Sequence, residues 1–117
     1  MFTDVARVVR AADLPDSALL EMPLDAAQVV SGTPEVRLLE LHDGADLGIG
    51  IWQHGAGTST DTEADEVFVV LAGRATVAVE GGPTLEIGPG DVGLLPAGAR
   101  TTWTVHETLR KVYLVRP

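Results

Sequence analysis

The 117-residue chain has no cysteine, which excludes disulfide stapling, thiolate metal sites and cysteine nucleophiles together and makes a reducing cytoplasm the simplest compartment. It also lacks any apolar run near the ~20 residues needed to cross a bilayer. The start, Met1-Phe2-Thr3-Asp4, has neither the basic opening nor the apolar stretch of a signal peptide. The expectation is a cytoplasmic protein with no membrane partner. Bases are scarce as well: 8 Lys and Arg stand against 17 Asp and Glu, and residues 1–66 hold 13 of the acids but only 3 of the bases. Such a field disfavours nucleic acid and anionic membranes as partners. It suits either a solvated acidic surface or an acidic cavity mouth that attracts a cationic ligand. Nucleotide chemistry has no support, because there is no nucleophile elbow or dinucleotide fingerprint. Gly88-Pro89-Gly90 also lacks the helix and lysine that a phosphate loop requires.

What is present is a globular composition, 45% hydrophobic and 21% charged, in a chain long enough for one domain and one function-bearing cavity. Glycines and prolines punctuate short apolar runs, which is an all-β pattern. Strands are expected at Val36–Leu41, Leu47–Trp52, Val67–Leu71, Arg74–Glu80, Leu85–Ile87, Val92–Leu95, Thr101–Val105 and Leu109–Val115. Ala72-Gly73 and Gly81-Gly82-Pro83 read as turns. About eight short strands at this spacing predict a sandwich or a closed barrel. Ala18-Leu19-Leu20 and Ala26–Val30 read either as helical turns or as irregular edge strands. The division is therefore an N-terminal arm, 1–30, and a barrel, 31–117. The arm packs either on its own barrel or across a neighbouring subunit, and a homodimer is the expected assembly.

Two motifs lie in order within this pattern. Glu66 is followed by six residues and Gly73, and Gly90 is followed by five residues, then Pro96, Ala97 and Gly98. Glycine supplies positive φ at tight turns and proline pre-sets φ at a strand end. In these motifs the sequence resembles the cupins, and the resemblance implies a single jelly-roll β-barrel. Within that superfamily it is similar to the small group related to ureidoglycine aminohydrolase and the ethanolamine-utilisation cupin. Gly50-Ile51-Trp52, Asp65-Glu66-Val67-Phe68, Trp103-Thr104-Val105 and Arg110-Lys111-Val112-Tyr113 carry that match, over roughly residues 30 to 116.

Metal-dependent cupins place two histidines before the glutamate and a third after the last glycine. Here those places hold Thr60 and Thr62, or Ser59 and Asp61 with a spacer one residue longer, and Thr101. Hydroxyls bind zinc, iron or manganese weakly, so no metal or other cofactor is expected. The histidines present, His42, His54 and His106, sit in or beside expected turns with no two at ligand spacing. His54 alone follows a strand, through Trp52, that could open into a barrel.

The candidate site is built by strand parity. Glu66 shares a face with Phe68 and Val70, Lys111 with Tyr113, and Thr101 with Trp103 and Val105. A carboxylate among apolar neighbours has a function or a partner: desolvation raises its pKa, and a cation lowers it. The resemblance implies a substrate-pocket role for Lys111 and Tyr113. The expectation is a small-molecule-binding protein. Glu66, Lys111 and Tyr113 are its candidate catalytic groups, for metal-independent lyase, isomerase or hydrolase chemistry. Trp52, His54, Phe68, Thr101 and Trp103 are candidate substrate contacts, and a purely structural Glu66–Lys111 ion pair is the competing view. The alternative functions are a non-catalytic binding or sensing module, and an atypical divalent-metal enzyme using Glu66, His54 and groups near Asp61.

Overall fold

Two long strands carry the architecture, and both differ from the expected pattern. A computed structural model describes residues 2–117, so Met1, the first residue of the expected arm, lies outside the described residues. The strands are β1 Leu20–Glu21, β2 Val29–Ser31, β3 Val36–Asp43, β4 Gly48–His54, β5 Gly57–Thr62, β6 Asp65–Val79, β7 Thr84–Ile87, β8 Val92–Leu95 and β9 Arg100–Arg116. The turn expected at Ala72-Gly73 does not form, and the two runs on either side of it are the single strand β6. Thr101–Val105 and Leu109–Val115 likewise merge, through His106, into β9. His42 also lies inside a strand, β3.

The reason is a bulge rather than a reversal. β6 and β9 pair antiparallel along their length, with register shifts between Val70 and Ala75. Gly73, at φ +87°, takes up the shift. A Cβ there would overlap the Thr108 carbonyl oxygen, so only glycine fits without displacing backbone. The inward phase changes across the bulge, from Phe68 and Val70 before it to Ala75 and Val77 after it.

Each long strand serves two neighbours. The first part of β9 pairs with β5 and the later part with β4, while the start of β6 pairs with β8 and its end with β7. The main path runs β1-β3-β4-β9-β5-β2, which rolls into an all-β jelly roll. The roll is not closed at its ends, where β1 and β2 pair only with β3 and β5. Edges two and three residues long offer little backbone for unwanted pairing. Strand β5 was not expected, because Gly-Thr-Ser-Thr-Asp-Thr has no apolar alternation; its pairing with β9 makes it a strand.

Residues 16–31 combine both readings of the arm: 3₁₀ turns Asp16–Ala18 and Ala26–Gln28 are followed by β1 and β2. The arm docks on its own barrel. Arg110, buried on β9, donates to the carbonyls of Ala11 at 3.0 Å and Leu14 at 2.7 Å and to Gln53 Oε1 at 2.8 Å, and Leu19 of the arm is buried. The main core gathers Phe68, Val70, Ala75, Val77, Leu95, Trp103, Val105 and Leu109. No helix among the described residues is long and apolar enough to cross a membrane.

Candidate functional site

The interior of the roll contains a cavity of about 200 Å³ whose walls include Trp52, Trp103, Glu63, Glu66, Lys111 and Tyr113, with Leu24 and Gln28 contributed by the arm. Its size lies below the ~300–1,000 Å³ of pockets for drug-sized ligands, so it suits a small molecule.

Lys111 stands at the centre of this arrangement. It is paired across β9 with Trp52 of β4 and Val70 of β6, which directs its side chain inward. Its Nζ lies 2.6 Å from Glu66 Oε2, with the two side chains only 5% and 13% exposed. The same Nζ is 4.5 Å from the Trp52 ring centroid, 4.6 Å from Phe68 and 4.7 Å from Trp103. Three aromatic faces and one carboxylate thus compensate a charge that has left water.

Glu63 is the residue that strand parity had not singled out. The second glycine motif positions it: Gly98 N–H donates to the Glu63 carbonyl at 2.7 Å, and Glu63 N–H donates to Ala99 O at 2.8 Å. Thr101 Oγ1 donates to Glu63 Oε2 at 3.3 Å, and Trp103 Nε1 donates to Thr101 Oγ1 at 3.1 Å. Burial, reinforced by Asp61 and Glu66, pushes the Glu63 carboxyl up to about 7, against a smaller opposing pull from Lys111. A proton on that carboxyl is therefore exchangeable near neutrality.

Tyr113 lines the same cavity opposite Gly50, where a Cβ would strike the phenol ring. Burial raises its hydroxyl pKa further, aided by Glu40, Glu66 and Asp43, so the group remains a hydrogen-bond donor through the neutral range.

The other expected contacts sit behind this wall. Phe68 is fully buried beneath the Lys111 ammonium, and Thr101 links Glu63 to Trp103. His54 is fully buried, with its ring 5.3 Å from that of Trp52, and it does not line the cavity. Its Nδ1 is 2.6 Å from Gly55 O and its Nε2 is 2.8 Å from Ser59 Oγ. Burial, with Lys111 adding to it, lowers its pKa against the Gly55 hydrogen bond. The neutral ring must then donate from Nδ1 to the carbonyl and accept from Ser59 at Nε2. His106 lies away from this group, exposed within β9 and beside Thr76 Oγ1 at 2.9 Å.

The donor set does not fit a divalent metal. Of the two spacings, Ser59 and Asp61 are the pair registered against the buried Trp103 and Thr101, with Ser59 itself buried and Asp61 exposed. Ser59 is bonded to His54, Thr101 to Glu63, and Glu66 to the Lys111 ammonium. Among the described residues no three His, Cys, Asp or Glu side chains converge as a metal site.

Against this geometry, the EutQ-like cupin domain model matches residues 43–113. No curated protein matches the chain at significance. Among solved structures, EutQ from Clostridium difficile superposes with a TM-score of 0.65 at 18% identity, over 82% of this chain and 81% of that one. A protein of unknown function from Pseudomonas syringae pv. tomato, of the DUF861 family, gives 0.73 at 28% identity, over 83% of this chain but 43% of that one. A Rhizobium leguminosarum protein of unknown function gives 0.63 at 25% identity, over 82% and 96%.

Proposed function

The chain belongs to the EutQ-like cupin family, and on that premise we propose that it binds a small organic molecule in the cavity and exchanges a proton with it without a metal. One observation carries this reading. A buried carboxyl that titrates at about 7 faces the same cavity of about 200 Å³ as an ammonium and a phenol held in place by the fold. In this reading the roles expected of Glu66, Lys111 and Tyr113 divide. Glu66 fixes Lys111, while Glu63 is the proton carrier. A C–H proton would pass to the Glu63 carboxylate as its electron pair moves toward a substrate oxygen. Lys111 Nζ–H or Tyr113 O–H would stabilise that oxygen as negative charge develops. This is a step common to lyase and isomerase reactions.

The test is exchange in D₂O, followed by proton NMR, across a panel of small carbonyl compounds. Protein-dependent replacement of C–H by C–D, lost in Glu63→Gln and sharply reduced in Lys111→Met, is the expected result. Full exchange by a folded Glu63→Gln protein would falsify the assignment. The mutual satisfaction of Glu66 and Lys111 favours a second reading, non-catalytic binding, in which a ligand quenches tryptophan fluorescence and is recovered without deuterium.

A further inference from the structure

We infer that the molecule held in this cavity is a small organic cation, its positive centre toward Asp61 and Glu63 and its apolar substituents against Trp52 and Trp103. The inference rests on the cavity being a ligand site, and adds the charge class of the ligand. It begins with a count of charges. Asp61, Glu63 and Glu66 line the cavity together with one base, Lys111. That base is already neutralised by Glu66 at 2.6 Å and faces three rings at 4.5 to 4.7 Å. Among the described residues neither Asp61 nor Glu63 has a salt-bridge partner.

Glu63 is only 8% exposed, and its side-chain neighbours are a threonine hydroxyl and another carboxyl. A buried carboxylate without a cation is costly, and the chain meets the cost by retaining a proton. A bound cation would supply the missing charge instead. An anionic ligand would meet Asp61 and Glu63, neither of them paired with a cation, and an ammonium already engaged, which is the wrong sign of field.

The apolar side of the site agrees. Trp52 and Trp103 meet edge to face, with centroids 5.5 Å apart at 61°, forming an aromatic corner in the cavity wall. Electron-rich aromatic faces attract organic cations, and tryptophan does so most strongly. The groups acting on Glu63 are Asp61 from β5, Glu66 from β6 and Lys111 from β9. Cation binding therefore favours the ionised carboxylate, and should release a proton from it and strengthen as pH rises through about 7.

Both tryptophans of the chain line this cavity, so intrinsic fluorescence reports on it directly. The probes are choline, its uncharged carbon isostere 3,3-dimethylbutan-1-ol, and butyrate, each titrated into the full chain at pH 6, 7 and 8. Choline is expected to bind at least about tenfold more tightly than either of the others and to gain affinity with pH. Glu63→Gln should lose that gain and at least about tenfold in affinity. Asp61→Asn, at the more exposed acid, gives the same test if the first variant fails to fold. Equal or better binding of the alcohol or butyrate would overturn the charge class while leaving a ligand site. No response to any probe would overturn both. Choline binding unchanged in a folded Glu63→Gln or Asp61→Asn protein would also overturn the inference.

Discussion

Where Asp65–Val70 pairs with Lys111–Arg116, the interior of the β6–β9 ladder sets Glu66, Lys111 and Tyr113 among Phe68 and Val70; where Ala75–Val79 pairs with Thr101–Val105, it holds Ala75, Val77, Trp103 and Val105, with Thr101 the one buried polar group. The same two strands thus build a charged half and a nearly apolar half on either side of one bulge. Apolar burial stabilises the second half by about 1.5–3 kcal/mol for each large side chain. The first half gives up part of that gain to keep a carboxylate and an ammonium inside. Stability and chemistry are segregated along a shared ladder, and the Gly73 bulge lets each half choose its own inward residues.

Breaking the charged half should have the largest effect. Lys111→Met leaves Glu66 buried without its cation, and unfolding in urea should show a loss of about 3–5 kcal/mol. Adding Glu66→Gln to that variant should restore most of it, since a polar pair is replaced by groups that need no charge compensation. A double variant as unstable as Lys111→Met would instead mean that lysine packing against Trp52, Phe68 and Trp103, rather than the pair, holds this half together.

Proton linkage sharpens the contrast. Glu63 titrates at about 7 in the folded chain against an ordinary 4.5, so the native state binds its proton more tightly than the unfolded state does. Its contribution is greatest below pH 4.5 and is lost as pH rises toward 7, on the order of 3 kcal/mol for this shift. His54 acts in the opposite sense: its lowered pKa costs stability as pH falls below 6.5. Glu63→Gln should therefore be more stable than the parent at pH 8 and nearly equal to it at pH 5, measured by denaturant midpoints. A difference independent of pH would remove Glu63 as the titrating group.

The need for positive φ was legible in the sequence because it is local: Gly73, in a bulge rather than the expected turn, and Gly90 and Gly98 all adopt it, from +85° to +88°. Parity also placed Glu66 with Phe68, and Lys111 with Tyr113, on shared faces. Their convergence depends on pairings between strands distant in sequence. A glycine beside an alanine signals a bulge as readily as a turn, so Ala72-Gly73 could not reveal one 15-residue strand. The polar β5 hid itself, and with it the alternation Ser59, Asp61, Glu63 that leads to the raised carboxyl. Nor could the sequence show that Gly55 and Ser59 occupy both nitrogens of His54.

The smallest effect is expected at the bulge that joins the two halves. Arg74 and Glu107 face each other across β6 and β9 at 3.3 Å, with side chains 60% and 63% exposed. Water screens this pair, so Arg74→Ala should change stability by less than about 1 kcal/mol, and by less still in high salt. Lys111 and Glu66 pair across the same ladder in the interior, where water cannot replace either partner. If unfolding curves gave Arg74→Ala a cost equal to that of Lys111→Met, burial would not be what separates the halves. The β6–β9 strand pairing itself, common to both pairs, would then have to account for the stability of the ladder.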